Sequence, residues 1–276
     1  MTVKELLKLT AGQVQPSEAD ALLAHLLGRD KIYIYAHPET RVKKNLQQRF
    51  LKLIKARARQ PLAYLLGRQA FYGRDFQVSP AVLIPRPDSE VMIDAAKKFL
   101  SYKKTATIID VGTGSGCLII TVALETANKF TYLGLDISQK ALAVARQNAK
   151  ILGAKITLKR SSLLSGLQAT GHRPLANLII ANLPYLTPKQ LKEPSIQAEP
   201  RLALAGGADG LLYYRRLLTQ VPAVLKPGGR LMIEIDPQQK TAVTRLLRKD
   251  LPTWHWQFKK DLAGRYRLVI INKSSP

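Results

Sequence analysis

The chain of 276 residues carries 43 Lys and Arg against 19 Asp and Glu, a formal charge of +24, and 46% of its residues are hydrophobic. That apolar share supports a packed core and excludes global disorder. The single cysteine, Cys117, excludes intramolecular disulfides and Cys-built metal sites, and no run approaches the ~18 apolar residues of a membrane span.

The charged opening, Met1 to Thr10, lacks the apolar run of a signal peptide, so a cytoplasmic protein with no membrane partner is expected. The first eighty or so residues read as helices. Val3 to Leu9 has helical apolar spacing, and Pro16-Ser17-Glu18 opens a second helix that Gly28 ends. A short segment from Lys31 follows, with Thr40 as a candidate N-cap. Arg41 to Arg59 then puts Leu46, Phe50, Leu51, Leu53 and Ile54 on one face, and Arg41, Lys43, Lys44, Arg49, Lys52, Lys55, Arg57 and Arg59 on the other. No acidic residue separates Glu39 from Asp75. The basic face is either a solvated surface or a dock for an anionic partner such as RNA, the ribosome or an acidic protein. A short helix closed by Gly67 and a β-hairpin turning at Gly73 follow, and then a bridge in which Pro85 and Pro87 flank Arg86.

From Thr107 strands and helices alternate. Strands are expected at 107–112, 131–137, 156–162, 175–185 and 230–236, with helices at 115–127, 138–152, 210–225 and 237–247, and Lys226 to Gly229 ending the third helix. Two final strands meet at Ala263-Gly264, with Trp254 and Trp256 as packing residues. Repeated βα units imply an α/β fold with a Rossmann-like parallel sheet and an antiparallel edge. The tail from Lys273 is expected to fray.

Three constellations carry chemistry. The first is Asp110-Val111-Gly112-Thr113-Gly114-Ser115-Gly116, between the first strand and its helix, where glycines let a ligand approach the backbone. Its spacing is not that of a dinucleotide loop, and no Walker lysine is present. The second is Asp136, placed to accept from both hydroxyls of a ribose; taken alone it would serve NAD equally well. The third is Asn182-Leu183-Pro184-Tyr185, after the fourth strand. An amide or aniline-like nitrogen is a poor nucleophile because its lone pair is delocalised. Acceptors from the Asn182 side chain and a backbone carbonyl can hold its two N–H groups and aim the lone pair at a methyl group. Tyr185 can cover the planar substrate, and Pro184 stiffens the backbone. His25, His37, His172 and His255 have no ligand spacing, so no metal is expected.

Taken together these stretches resemble the PrmC/HemK family, the glutamine-N5 methyltransferases of peptide chain release factors. The resemblance runs through Arg57 to Gly67, Phe71 to Gly73, Leu83 to Glu90, Asp110 to Gly116, Gly134 to Ser138, Ala181 to Tyr185 and Glu199 to Leu218. It implies a helical substrate-docking domain at 1–75, a β-hairpin linker at 76–90 and a seven-stranded class I methyltransferase domain at 91–276. It implies S-adenosyl-L-methionine as cofactor, held by Gly112, Thr113, Gly114, Ser115, Gly116, Asp136, Leu163 and Asn182, and release factors as protein substrate. Asn182, Leu183, Pro184 and Tyr185 would hold the glutamine of a Gly-Gly-Gln motif, with Leu183 giving its carbonyl. The chain departs from the family at Leu183 (commonly Pro), Leu163 (commonly aromatic), Ser162 (commonly Asp) and Asp88-Ser89 (commonly Glu-Thr). An adenine amino-methyltransferase acting on RNA or DNA shares the Asn-x-Pro-Tyr chemistry and is the rival expectation.

Overall fold

The computed structural model describes residues 1–170, 175–261 and 263–274. His172 and the last two residues of the tail lie outside the described residues. The first unit, Met1–Arg68, is built from α1 (Val3–Leu9), α2 (Pro16–Leu27), α3 (Lys31–Ala36), α4 (Lys44–Arg57) and α5 (Leu62–Leu66). Local chemistry sets their ends. Thr2 and Glu5 form a reciprocal capping box, and Gly28 and Gly67 close α2 and α5 in the left-handed conformation. The segment from Lys31 is helical because Asp30 accepts from the Tyr33 amide at 2.7 Å. Thr40 is not the cap of α4: its carbonyl accepts from the Val3 amide at 3.0 Å, and Lys43 precedes the helix without a side-chain cap. Leu6, Leu22, Leu23, Phe50 and Ile54 are buried together. Arg57 leaves the expected basic face, since it donates to Glu18 at 2.7 Å. Arg41, Lys43, Lys44, Arg49, Lys52, Lys55 and Arg59 remain exposed.

The second unit spans Gln69–Pro276. At its start β1 (Arg68–Phe71) and β2 (Arg74–Gln77) form a hairpin. Tyr72 and Gly73 turn it with φ of 48° and 72°, the paired positive values of a type I′ turn. The hairpin thus lies ahead of residues 76–90, which hold the end of β2, an extended stretch and a 3₁₀ turn at Pro87–Ser89. Next comes α6 (Glu90–Leu100), a helix missing from the expectations above.

The main sheet holds β3 (Thr107–Val111), β4 (Thr131–Asp136), β5 (Thr157–Arg160), β6 (Ala176–Ala181), β7 (Leu225–Glu234), β8 (His255–Lys260) and β9 (Tyr266–Asn272), in the order β5-β4-β3-β6-β7-β9-β8. The first five are parallel, and β9 runs antiparallel to both neighbours. Four further helices are α7 (Cys117–Glu125), α8 (Gln139–Leu152), α9 (Leu212–Gln220) and α10 (Lys240–Asp250). Alternate residues of each central strand enter different cores: Leu178 and Ile180 on one face, Ile179 and Ala181 on the other. Helix α9 stops at Gln220, short of the expected Leu225, and a 3₁₀ turn containing Pro222 follows. Lys226 to Gly229, expected to end that helix, lie within β7, where its register against β6 shifts. Among the described residues no helix is long and apolar enough to cross a membrane.

Chain order reverses between β3 and β6, the switch point at which open α/β sheets bind ligands beyond their strand ends. Register sharpens this. Val111 pairs with Leu135 on one side and with Ala181 on the other, and Ala181 pairs with Ile233. The next residues, Asp136, Gly112, Asn182 and Glu234, therefore form one row across four strand ends.

Candidate active site

Above that row lies a cavity of ≈ 300 Å³, lined among others by Gly112, Thr113, Gly114, Ser115, Asp136, Leu163, Asn182, Leu183 and Pro184. Gly116 and Tyr185 are absent from this lining; Tyr185 lines a smaller adjoining cavity of ≈ 160 Å³, together with Asn182, Leu183, Arg86 and Glu234.

Each glycine of the loop has its own reason. A Cβ on Gly112 would stand 3.0 Å from Leu183 Cδ2, so this position is small because Leu183 packs on it. A Cβ on Gly116 would meet Ile120 Cδ1 at 2.7 Å, which makes Gly116 a packing glycine behind the loop. At Gly114 the nearest atom to such a Cβ is the Gly112 carbonyl at 3.9 Å, so the backbone there borders open cavity. The loop's amides are mostly committed internally. Gly112 and Thr113 donate to the Leu135 carbonyl at 2.8 and 2.9 Å, Gly116 to the Thr113 carbonyl, and Gly114 to Asp136 Oδ2 at 2.9 Å. A loop using its N–H groups this way is poorly equipped to cradle a pyrophosphate.

Asp136 also accepts from the Ser138 amide at 2.8 Å, so both its oxygens are fixed while each keeps a free lone pair toward the cavity. Burial raises its pKa, against the pull of those amides. Beneath it Asp110 is fully buried, accepts from Thr113 Oγ1 at 2.7 Å and has its pKa lifted by burial to about 7. Leu163 forms part of the wall in a left-handed conformation, φ 53°, stabilised by Ser161 Oγ donating to its carbonyl at 2.7 Å. Such backbone strain in a branched residue recurs where ligands are clamped. Ser162 beside it is exposed and also lines the cavity. Cys117 also lines the cavity, and burial pushes its thiol up to about 12, so it stays protonated at neutral pH.

Asn182 and its neighbours are held from many directions. Asn182 Nδ2 donates to Ser89 Oγ at 3.2 Å, and Ser89 Oγ donates to Glu234 Oε2 at 2.5 Å. Tyr185 Oη donates to the other Glu234 oxygen at 3.2 Å. Burial pushes the Tyr185 phenol well above its ordinary value, so it remains a donor. Leu183 O lies 3.2 Å from Tyr214 Oη, whose single proton has a shorter partner in Glu234 O at 2.5 Å. The Leu183 carbonyl therefore keeps accepting capacity, and its side chain fills the space beside Gly112.

Residues that the expectations above missed complete the frame. Glu199, buried, accepts from the Ile84 amide at 3.0 Å and pairs with Arg86. Asp88 pairs with Arg267 at 2.9 Å, and Glu90 accepts from the Tyr72 amide at 2.8 Å. The supposed bridge at 83–90 is thus anchored residue by residue across the strand ends. Gly206 and Gly210 pack directly on the tetrapeptide: a Cβ would come within 2.6 Å of Tyr185 Cα at Gly206 and 2.2 Å of Tyr185 O at Gly210. Gln239 Nε2 donates to Tyr185 O at 3.1 Å and Gly210 O at 3.2 Å. Asn148, fully buried, ties Gln77 of the hairpin to the Ser115 carbonyl. One signal was available: Glu234 is a carboxylate set within the otherwise apolar stretch 231–235. Among the described residues no three His, Cys, Asp or Glu side chains gather as metal ligands.

Known proteins resemble this chain in sequence and fold. A family model described as a methyltransferase domain matches residues 102–272, and one described as the PrmC N-terminal domain matches 4–67. A release factor glutamine methyltransferase of Bacillus cereus is 33% identical over 98% of this chain and 99% of its own length. One from Moorella thermoacetica is 37% identical, covering 98% of each chain. The crystal structure of a methyltransferase from Pyrococcus furiosus, 18% identical, superposes with a TM-score of 0.54 over 85% of this chain and all of that one, a likeness of fold. With both halves matched and identity running nearly end to end, the chain belongs to the release factor glutamine methyltransferase family.

Proposed function

We propose that the protein transfers a methyl group from S-adenosyl-L-methionine to the side-chain amide nitrogen of a release-factor glutamine. The observation that carries this reading is the placement of Asn182: at the switch point, in register with the glycine loop, and shared by the two cavities.

The residues suit the cofactor. Asp136 offers two fixed acceptors for ribose hydroxyls, Gly114 leaves room beside the backbone, and Leu163 supplies an apolar wall for adenine. Internally committed loop amides suit a ligand with no phosphate better than a dinucleotide. Bound there, the cofactor supplies a methyl carbon on a cationic sulfur, an electrophile that needs no metal. What remains for the protein is positioning. Asn182 Oδ1 and the Leu183 carbonyl accept the two amide N–H groups, and Pro184 and Tyr185 bound the planar substrate. Holding both hydrogens out of the amide plane localises the nitrogen lone pair for in-line attack. The proton left on the methylated nitrogen is strongly acidic, so no strong base is required.

The unit at 1–68 serves as the docking part, and the basic surface on and beside α4 brings the enzyme near RNA or the ribosome in the cytoplasm; the seven exposed cations from Arg41 to Arg59, four of them within α4, support this. The test is incubation of the full chain with methyl-labelled cofactor and, separately, release factor and total RNA. Label in the release factor is expected. Label in RNA alone would replace this reading with amino-methylation of adenine.

A further inference from the structure

Asn182 must present its carbonyl, not its NH₂, to the substrate, because the amide to be methylated brings hydrogens. An asparagine side chain is nearly symmetric in shape, so something has to select one of its two orientations. Packing cannot do this; hydrogen-bond polarity can.

The polarity here runs in one direction. Both oxygens of the buried Glu234 carboxylate receive hydroxyl donors, Ser89 at 2.5 Å and Tyr185 at 3.2 Å. Ser89 has a single proton, and the carboxylate takes it. Ser89 Oγ can then only accept from Asn182, which fits the Nδ2 contact at 3.2 Å. With Nδ2 turned inward, Oδ1 is left for the cavity. Glu234 is itself held by its position one residue beyond Ile233 in the register row, and Ser89 by the 3₁₀ turn, in which Asp88 pairs with Arg267 while the preceding Arg86 pairs with Glu199. Three distant parts of the chain thus meet to set one side chain's sense.

We propose that Ser89 and Glu234 are positioning residues that lock the Asn182 amide with its oxygen toward the substrate nitrogen. This rests on the function proposed above and deepens it. Ser89→Thr keeps the hydroxyl and should keep kcat within about threefold. Ser89→Ala lets the amide turn, and loss of one preorganised contact should lower kcat by about 10²-fold. KM for the release factor and the affinity for S-adenosylhomocysteine, measured by calorimetry, should change little. A residue that merely fills space would treat the two substitutions alike or fail in cofactor binding. Neutron diffraction of the full chain reads the orientation without any substrate, and so decides it even if transfer to release factors fails. Deuterons on Asn182 Nδ2 directed at Ser89, with the Ser89 deuteron directed at Glu234, are expected. Ser89→Ala with wild-type kcat, or an Asn182 carbonyl facing Ser89, would overturn the proposal.

Discussion

The two sides of the main cavity are built differently. The side assigned to the cofactor comes from short loops at the ends of β3, β4 and β5, so Gly114, Asp136 and Leu163 are each set by a strand and a few neighbouring residues. The side assigned to the substrate is assembled from afar. Ser89, Gly210, Glu234 and Gln239 converge on one tetrapeptide across up to 150 positions of chain. Local construction suits a ligand shared by many enzymes. Long-range construction suits an acceptor that differs between them, because each contributing segment can change without disturbing the loop assigned to the methyl donor.

That contrast can be tested by damage on each side. The largest effect is expected from Gly210→Ala. Its φ of 75° is strained for alanine, and the new Cβ would collide with Tyr185 O. Transfer should fall by 10²-fold or more, in proportion to a loop shift of about 1 Å, while calorimetric binding of S-adenosylhomocysteine stays near wild type. Next is Asp136→Ala on the other side. Loss of two charge-assisted bonds, at roughly 1.5–3 kcal/mol each, should weaken that binding by about 10²-fold or more. Turnover at saturating cofactor should then recover, which would break the comparison if it did not.

Asp110 gives a pH signature confined to the cofactor side. Unfolded, its carboxyl titrates near 3.8; folded, burial holds it near 7. The folded chain therefore binds the extra proton between those values, and Asp110 costs stability as pH rises from about 4 to about 7, with the full penalty above. Asp110→Asn should stabilise the protein on the order of 4 kcal/mol at pH 8 and by little near pH 4. Thermal melts across that range check it; a pH-independent difference would contradict the burial argument. The smallest effect is expected from Leu163→Ala, which trims one apolar wall and should weaken cofactor binding by about threefold, read by the same calorimetry.

The same contrast explains what was legible in the sequence. The glycine loop, Asp136 and the tetrapeptide could be read because each is a short pattern at a strand end, and the alternation of strands and helices gave the sheet. The polar frame could not. Nothing in Pro87-Asp88-Ser89 says that Ser89 will sit beside Glu234, because that meeting depends on where β7 falls in the sheet. Gly210 stands at the start of the helix expected at 210–225 and Gly206 only within the stretch Glu199 to Leu218; their role shows once Tyr185 is seen packed on them. Helix α3 escaped notice because it spans only six residues and its cap, Asp30, precedes an aromatic-rich run that also suits a strand.

The most direct test of the role of Asn182 is Asn182→Ala, assayed with labelled cofactor and release factor. At least a 10²-fold loss of kcat is predicted, with S-adenosylhomocysteine affinity changed by less than about threefold, as expected for a group that borders the cofactor but acts chiefly on the acceptor. Turnover at the wild-type rate, or loss of cofactor binding in parallel with activity, would contradict it.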